Sequence, residues 1–178
     1  MFQLKKLDLH GIPAALAKAE RYRFLNEPRE AESICRDIIE VDPAGQGGPG
    51  GAYATLILAM TDQFSASPGA SNPTSPDRVL PLIDSLDAPY DRAYLSGVIC
   101  ERWAKAELAR GSAHTPAHVV FDWLARAMRH FAEAEELAPA GNEDAVLRWN
   151  SCVRILERNR EIRPRSEDSS TMSDYQDV

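Results

Sequence analysis

The chain has 178 residues, of which 44% are hydrophobic and 26% charged, so it can bury one hydrophobic core. Its formal net charge of −7 disfavours contact with a phosphate backbone, and we expect no nucleic-acid partner. No apolar stretch approaches the roughly 20 residues of a membrane-spanning helix, and no apolar signal segment follows Lys5 and Lys6. We therefore expect neither membrane insertion nor secretion.

Three cysteines, Cys35, Cys100 and Cys152, lie far apart and each falls within an apolar pattern of helical period. An odd number of widely spaced cysteines favours buried free thiols over a disulfide framework. Reduced thiols are typical of the cytoplasm, which is the predicted location. Glutamates interrupt the arginine run in residues 154–165, which predicts a solvated helix face and not a nucleic-acid site.

Helical periodicity begins after a leader segment, residues 1–11. Pro13 favours a helix entry, because proline is tolerated in the first turn. The break Asn26-Glu27-Pro28 separates this helix from a second one, which runs to about Val41 before Asp42-Pro43 ends it. Two helices joined by so short a break are expected to pack antiparallel.

The middle of the chain alternates helices with glycine-rich and serine-rich segments. The composition of residues 44–51 predicts a flexible loop. Residues 52–64 are predicted to form a third helix, which is apolar on most sides and is therefore expected to be central. A serine, proline and glycine linker occupies residues 65–75. A short helix then runs to Leu86, weakened or bent by Pro81.

The second half predicts three longer helices. One begins at Pro89 and ends near Arg110, before Gly111. The next begins after Thr115-Pro116 and reaches Leu137, and the last covers about residues 143–161. Residues 162–178 are acidic and poor in apolar side chains, so we expect a disordered tail.

Two segments share the spacing A-x3-F-x2-A-x4-P or a close variant of it. They are Ala127, Phe131, Ala134 and Pro139 in one case, and Ala31, Cys35, Ile38 and Pro43 in the other. The spacing resembles the second-helix half of a tetratricopeptide repeat, in which small residues allow close helix approach and proline stops the helix. The resemblance implies an all-α fold over residues 12–161, a right-handed array of antiparallel helical hairpins (an α-solenoid) with about seven helices.

The sequence departs from the family at several positions. Lys18 replaces the expected leucine, and Cys35 replaces the expected aromatic residue. Gly97 resembles the glycine of a first helix, but it lies 30 positions before Ala127, where a standard repeat leaves about 12. We therefore expect lengthened helices in that hairpin. A generic helical bundle is the alternative interpretation.

No set of residues predicts catalysis. The G-x-G-x-x-G spacing in residues 45–50 follows a helix, whereas a dinucleotide site needs a preceding strand. His114 and His118 lack further ligands to complete a metal site. The sequence contains neither a G-x-S-x-G nucleophile motif nor a phosphate-binding P-loop. We expect no enzymatic activity, no cofactor and no metal.

The family resemblance implies a concave groove, lined by first helices, that receives an extended peptide or a helix of another protein. Arginine and aromatic side chains are frequent interface anchors. The candidate partner-binding residues are Arg23, Tyr94, Glu101, Arg102, Trp103, Trp149, Asn150 and Arg154.

The leading functional prediction is a non-catalytic adaptor or scaffold for protein–protein interaction. One alternative is a structural accessory subunit that docks through the apolar third helix. Another is a helical protein that binds a metal or small molecule through His114, His118 and His130. Self-association also stays open.

Overall fold

A computed structural model describes residues 3–48, 50–64, 74–111 and 113–165. Its α-helices are α1 (Ile12–Phe24), α2 (Pro28–Val41), α3 (Ala52–Thr61), α4 (Pro76–Val79), α5 (Pro89–Arg110), α6 (Ala117–Leu137) and α7 (Asp144–Arg158). Within these residues there is no strand, which confirms the all-α class. Most of the predicted linker and most of the predicted tail lie outside the described residues.

Proline and glycine set most helix boundaries. Pro28 and Pro89 are the first residues of α2 and α5, where a missing N–H costs no intrahelical hydrogen bond. Gly111 follows α5 with a φ of 83°, a conformation that favours glycine. The bounds of α2 and α5 agree with the sequence prediction.

Three predicted helices are shorter than expected. The third ends at Thr61, and the last ends at Arg158. The helix before Leu86 has only four residues and continues as a 3-10 helix over Leu80–Ser85. Pro81 explains that change, because it has no N–H to donate to a helical carbonyl.

The helices contact one another in a regular order. α2 packs on both α1 and α3, and α6 packs on both α5 and α7. The odd-numbered helices also meet directly, since α1 contacts α3, α3 contacts α5, and α5 contacts α7. The most extensive of these contacts joins α5 and α6.

Two clusters of apolar side chains form the core. The first centres on α1, α2 and α3, and the second on α5, α6 and α7. Leu58 and Tyr94 are partly buried and pack against both. Leu7 and Ile162, just outside the predicted repeat domain, also pack onto the core.

α3 is the most enclosed of the short helices. Leu56, Ile57 and Met60 are at most 2% exposed, which confirms the central position predicted from its apolar sequence. Within the described residues, no helix combines the length and apolar character needed to cross a membrane.

The long hairpin of α5 and α6 closes tightly at one point. A Cβ atom added to Gly97 would lie 2.5 Å from Cε1 of Phe131, and Phe131 is fully buried. Glycine at this position lets the aromatic ring rest against the α5 backbone.

Candidate interaction surface

A continuous set of charged side chains connects the odd-numbered helices. We call it the cationic face, and its members are Arg23 on α1, Asp62 after α3, Glu101, Arg102 and Lys105 on α5, and Arg148 on α7.

Asp62 joins α1 to α5. Arg23 Nε donates a hydrogen bond to Asp62 Oδ2 at 2.9 Å, and Arg102 Nη1 donates to Asp62 Oδ1 at 2.5 Å. The same Arg102 nitrogen lies 2.6 Å from Thr61 Oγ1 and 3.1 Å from the Leu58 carbonyl oxygen. Arg102 therefore adds a side-chain donor at the carboxyl end of α3, where the Leu58 carbonyl also accepts from the Asp62 N–H.

Glu101 joins α5 to α7. Its side chain is fully buried, and its two carboxylate oxygens accept from two different helices. Arg148 Nη1 donates to Oε2 at 2.9 Å, and Lys105 Nζ donates to Oε1 from one turn further along α5. The buried carboxylate thus has a charged partner at each oxygen, as a buried charge requires.

The electrostatic surroundings of the two arginines differ. Burial lowers the pKa of Arg102, and the negative charge of Asp62 opposes that shift. Burial would also lower the pKa of Arg148, but the charge of Glu101 and hydrogen bonds to Tyr94 and Glu101 outweigh it, so this pKa is raised. Both guanidinium groups are charged at neutral pH.

One of the two carboxylates, Glu101, lies beneath two of the cations. Glu101 is fully buried, whereas Arg148 and Lys105 retain 31% and 42% side-chain exposure. Four cations stand against two carboxylates in this set. These six side chains together therefore carry a formal excess of two positive charges across α1, α5 and α7.

The candidate residues predicted from the sequence divide into two groups. Arg23, Glu101 and Arg102 come together in the cationic face. The aromatic candidates lie against the core. Trp103 packs edge-on against Phe64 with ring centroids 5.2 Å apart, and Trp149 packs against the second cluster.

Tyr94 is half-buried between the two clusters. Its ring stacks on Tyr90 with centroids 5.7 Å apart and lies 6.0 Å from the ring of Phe131. Its hydroxyl approaches Arg148, so Tyr94 supports the cationic face from its edge.

Asn150 and Arg154 do not face α5. A helix turns by about 100° per residue, which puts these two side chains roughly 200° and 240° around α7 from Arg148. Neither takes part in a side-chain hydrogen bond or ion pair described for residues 113–165. These two candidates predicted on the last helix therefore lie on the side of α7 away from Glu101, and Arg148 is the residue that reaches this carboxylate.

Asp62, Lys105 and Arg148 were absent from the sequence-based candidates. Lys105 follows Glu101 by four residues, a spacing that favours an ion pair on a helix. Arg148 shares a helical stripe with the buried residues Ala145 and Cys152, which would have placed it beside α5. Nothing in the sequence around Asp62 singles it out.

The remaining candidate chemistry gains no support. His114 is exposed, and His118 Nε2 lies 3.0 Å from Arg165 Nη2. Among the residues that the structure describes, no three His, Cys, Asp or Glu side chains are grouped to hold a metal. The glycine-rich loop contains a 3-10 turn, Ala44–Gln46, and connects two helices.

The thiols are equally unsuited to nucleophilic chemistry. Burial raises the pKa of Cys35 and of Cys152 to about 12, and it also raises the pKa of Cys100. Because the thiolate is the nucleophile, such cysteines react slowly at neutral pH.

No family model matches this chain, and neither a curated protein nor a solved structure matches it. The resemblance to tetratricopeptide repeats rests on the residues of the chain itself. Its function has to be inferred from the chemistry of its own surfaces.

Proposed function

We propose that this chain is a non-catalytic adaptor that binds an acidic segment of a partner protein along the cationic face. One observation carries the proposal. Both carboxylates of that face are engaged in ion pairs with its own cations, and Lys105 and Arg148 keep 42% and 31% side-chain exposure above the buried Glu101. Carboxylates of a bound segment would meet guanidinium and ammonium donors already held in position.

The geometry of Arg102 favours such a ligand. Its described hydrogen bonds, to Asp62, Thr61 and the Leu58 carbonyl, all leave from Nη1. A guanidinium group carries five N–H donors in a planar fork, so further donors are available to a carboxylate. Asp62 holds the fork in place before the partner arrives, which lowers the entropy lost on binding.

We also propose that the helices form a right-handed array of the tetratricopeptide type. Support comes from the order of contacts, in which each even-numbered long helix packs between two odd-numbered helices. The close approach of Gly97 to Phe131 fits the small-residue and aromatic positions of that family. In such an array the odd-numbered helices line the groove, and the cationic face lies along it.

The buried α3 argues against the accessory-subunit alternative in its original form. That alternative required an apolar helix available to another chain, but Leu56, Ile57 and Met60 are enclosed by this one. Three buried free thiols are compatible with a reducing compartment, and the proposal places the protein in the cytoplasm.

A peptide-binding experiment tests the proposal. The full chain is screened against a library of twelve-residue peptides that differ in acidic content, and the strongest hits are measured by fluorescence anisotropy. We expect peptides with several Asp or Glu residues to be selected. Their affinity should fall as salt rises, because exposed charges are screened.

A double variant, Arg23→Glu with Lys105→Glu, should lower the binding affinity for the selected peptides at least tenfold. The matched control is Arg21→Glu with Arg129→Glu, which reverses two exposed arginines on α1 and α6 away from the cationic face. Circular dichroism checks that both variants are folded. Selection of apolar peptides, or equal binding by the two variants, would contradict the proposal.

A further inference from the structure

A further cavity of about 370 Å³ lies between α2, the residues that follow α3 and the start of α4. Its lining is strongly polar and comprises Arg29, Glu32, Ser33, Arg36, Gln63, Thr74 and Arg78. We propose that this cavity binds a phosphate monoester, a ligand class different from that of the cationic face.

The arginines converge from two helices. Arg29, Ser33 and Arg36 follow one another at intervals of four and three residues, so they share one side of α2. Arg78 approaches from α4 on the other side of the cavity. Three guanidinium groups therefore surround a space lined by a single carboxylate.

The carboxylate of this cavity belongs to Glu32, and both of its oxygens accept hydrogen bonds from neighbouring side chains. Glu32 Oε1 accepts from Arg36 Nη2 and Nε at 2.7 and 3.0 Å, and Oε2 accepts from Gln63 Nε2 at 2.7 Å. Burial would raise the pKa of Glu32, but the hydrogen bonds from Gln63 and Arg36 outweigh it, and the pKa is lowered. Glu32 thus neutralises and orients Arg36, and leaves two positive charges in excess.

Arg29 and Arg78 supply that excess. Neither forms an ion pair with another residue in the described parts of the chain. The segment 65–73, which lies outside the described residues, contains no Asp or Glu. Like charges on neighbouring arginines repel one another, and a bound anion relieves that repulsion.

A neighbouring cavity has a more acidic lining and is therefore a poorer site for an anion. It has a volume of about 550 Å³ and shares Arg29 and Gln63, but its lining includes Glu27, Glu30 and Asp62. Asp62 is already paired with two arginines of the cationic face. Glu27 and Glu30 remain beside Arg29, and their negative charge disfavours an anionic ligand there. The positive charge is confined to the side of Arg29 that faces Arg36 and Arg78.

The lining also fits the geometry of a phosphate group. Guanidinium forks bind phosphate oxygens in pairs, and the hydroxyl groups of Ser33 and Thr74 add neutral donors. The volume exceeds that of a phosphate alone, so the ester carries an organic group. That group is either a small metabolite or a phosphorylated side chain of a peptide.

Isothermal titration calorimetry of the full chain at low salt tests the site, with inorganic phosphate and O-phosphoserine as probes. We expect saturable binding with a dissociation constant below about 1 mM. Binding of O-phosphoserine should be stronger at pH 7.5 than at pH 5, because the second ionisation of its phosphate has a pKa near 6.

The variant Arg29→Gln with Arg78→Gln should lower the affinity for O-phosphoserine at least tenfold. The control variant Arg21→Gln with Arg129→Gln should leave this affinity unchanged. The absence of saturable binding up to about 10 mM, or equal binding by both variants, overturns the proposal. The cationic face is intact in these variants, so failure here is distinguishable from failure of acidic-peptide binding.

A second arm identifies the source of the phosphate. A twelve-residue peptide with one phosphoserine is compared with its unphosphorylated form and with free O-phosphoserine. Binding of the phosphopeptide at least tenfold tighter than free phosphoserine assigns the site to a modified protein. Similar affinities of the two phosphorylated probes assign it to a small phosphate ester.

Discussion

The hairpins α1–α2 and α5–α6 use the same residue pattern at different scales. Ala31, Cys35 and Ile38 on α2 are fully buried, as are the corresponding Ala127, Phe131 and Ala134 on α6. The helices of the first hairpin have 13 and 14 residues, however, and those of the second have 22 and 21.

The difference shows that the pattern determines which stripe is buried, and not the length of the helix. In the second hairpin the aromatic ring requires Gly97 opposite, because a Cβ atom there would collide with it. In the first hairpin a thiol occupies the ring position and shares its cluster with Ala19. Core volume is therefore distributed unequally between the two halves.

The largest expected effect is the loss of the aromatic ring. We expect Phe131→Ala to lower the free energy of unfolding by about 3–5 kcal/mol, because it leaves a cavity between two long helices. The matched change Cys35→Ala removes about one methylene equivalent and should cost roughly 1 kcal/mol. Urea denaturation followed by circular dichroism measures both.

Equal losses from these two variants would show that the halves are packed alike. The converse variant, Cys35→Phe, tests the same comparison, because none of the glycines in the described residues lies against Cys35. We expect overpacking to cost about 1–3 kcal/mol. A stabilised Cys35→Phe protein would show unused space in the first cluster.

The second comparison concerns the two carboxylates of the cationic face. Glu101→Gln removes a fully buried charge and leaves Arg148 and Lys105 without their partner, which should cost about 2 kcal/mol. Asp62→Asn changes a side chain that is 25% exposed, and we expect about 1 kcal/mol or less. Thermal and urea unfolding of both variants give the order.

A larger loss from Asp62→Asn would mean that the contact between α1, α3 and α5 matters more than the contact between α5 and α7. Raising the ionic strength provides a control. It should weaken the contribution of Asp62 more than that of Glu101, since buried charges are screened less.

The smallest expected effect is a pH dependence from the second half. Burial lowers the pKa of His130, against the charge of Glu133, while Arg126 and Arg129 lower it further. The unfolded chain therefore takes up a proton at higher pH than the folded chain, and stability falls as the pH drops through about 6.5. Solvent exposure keeps the effect below about 0.5 kcal/mol.

His130→Gln should remove this part of the pH dependence between pH 7.5 and 6. The control is His10→Gln, which changes an exposed residue before α1. Urea midpoints at the two pH values provide the measurement. An unchanged slope in His130→Gln, or a reduced slope in His10→Gln, would contradict the assignment.

Much of the helical structure could be read from the sequence, because proline, glycine and apolar spacing act locally. Pro28 and Pro89 fixed the beginnings of two helices to the residue. The helix before Pro81 is shorter than the sequence predicted, because the chain continues over Leu80–Ser85 as a 3-10 helix without α-helical hydrogen bonds.

The candidate surface could be predicted only in part. Arg23, Glu101 and Arg102 were among the candidates predicted from the family resemblance, and the structure brings them together. The same prediction named Asn150 and Arg154 on the last helix, although Arg148 is the residue that meets α5. Asp62 lies beyond the end of α3, and its two arginine partners are 39 and 40 residues away in the sequence. Such distant contacts cannot be predicted from a local sequence pattern.

The buried thiols give each half of the molecule its own reporter of local opening. Cys35 belongs to the first cluster, whereas Cys100 and Cys152 belong to the second. A thiol with a pKa of about 12 in the native protein, such as Cys35 or Cys152, regains ordinary reactivity once its helix detaches. Alkylation rates in mild denaturant would thus reveal, without any introduced label, which hairpin loosens first.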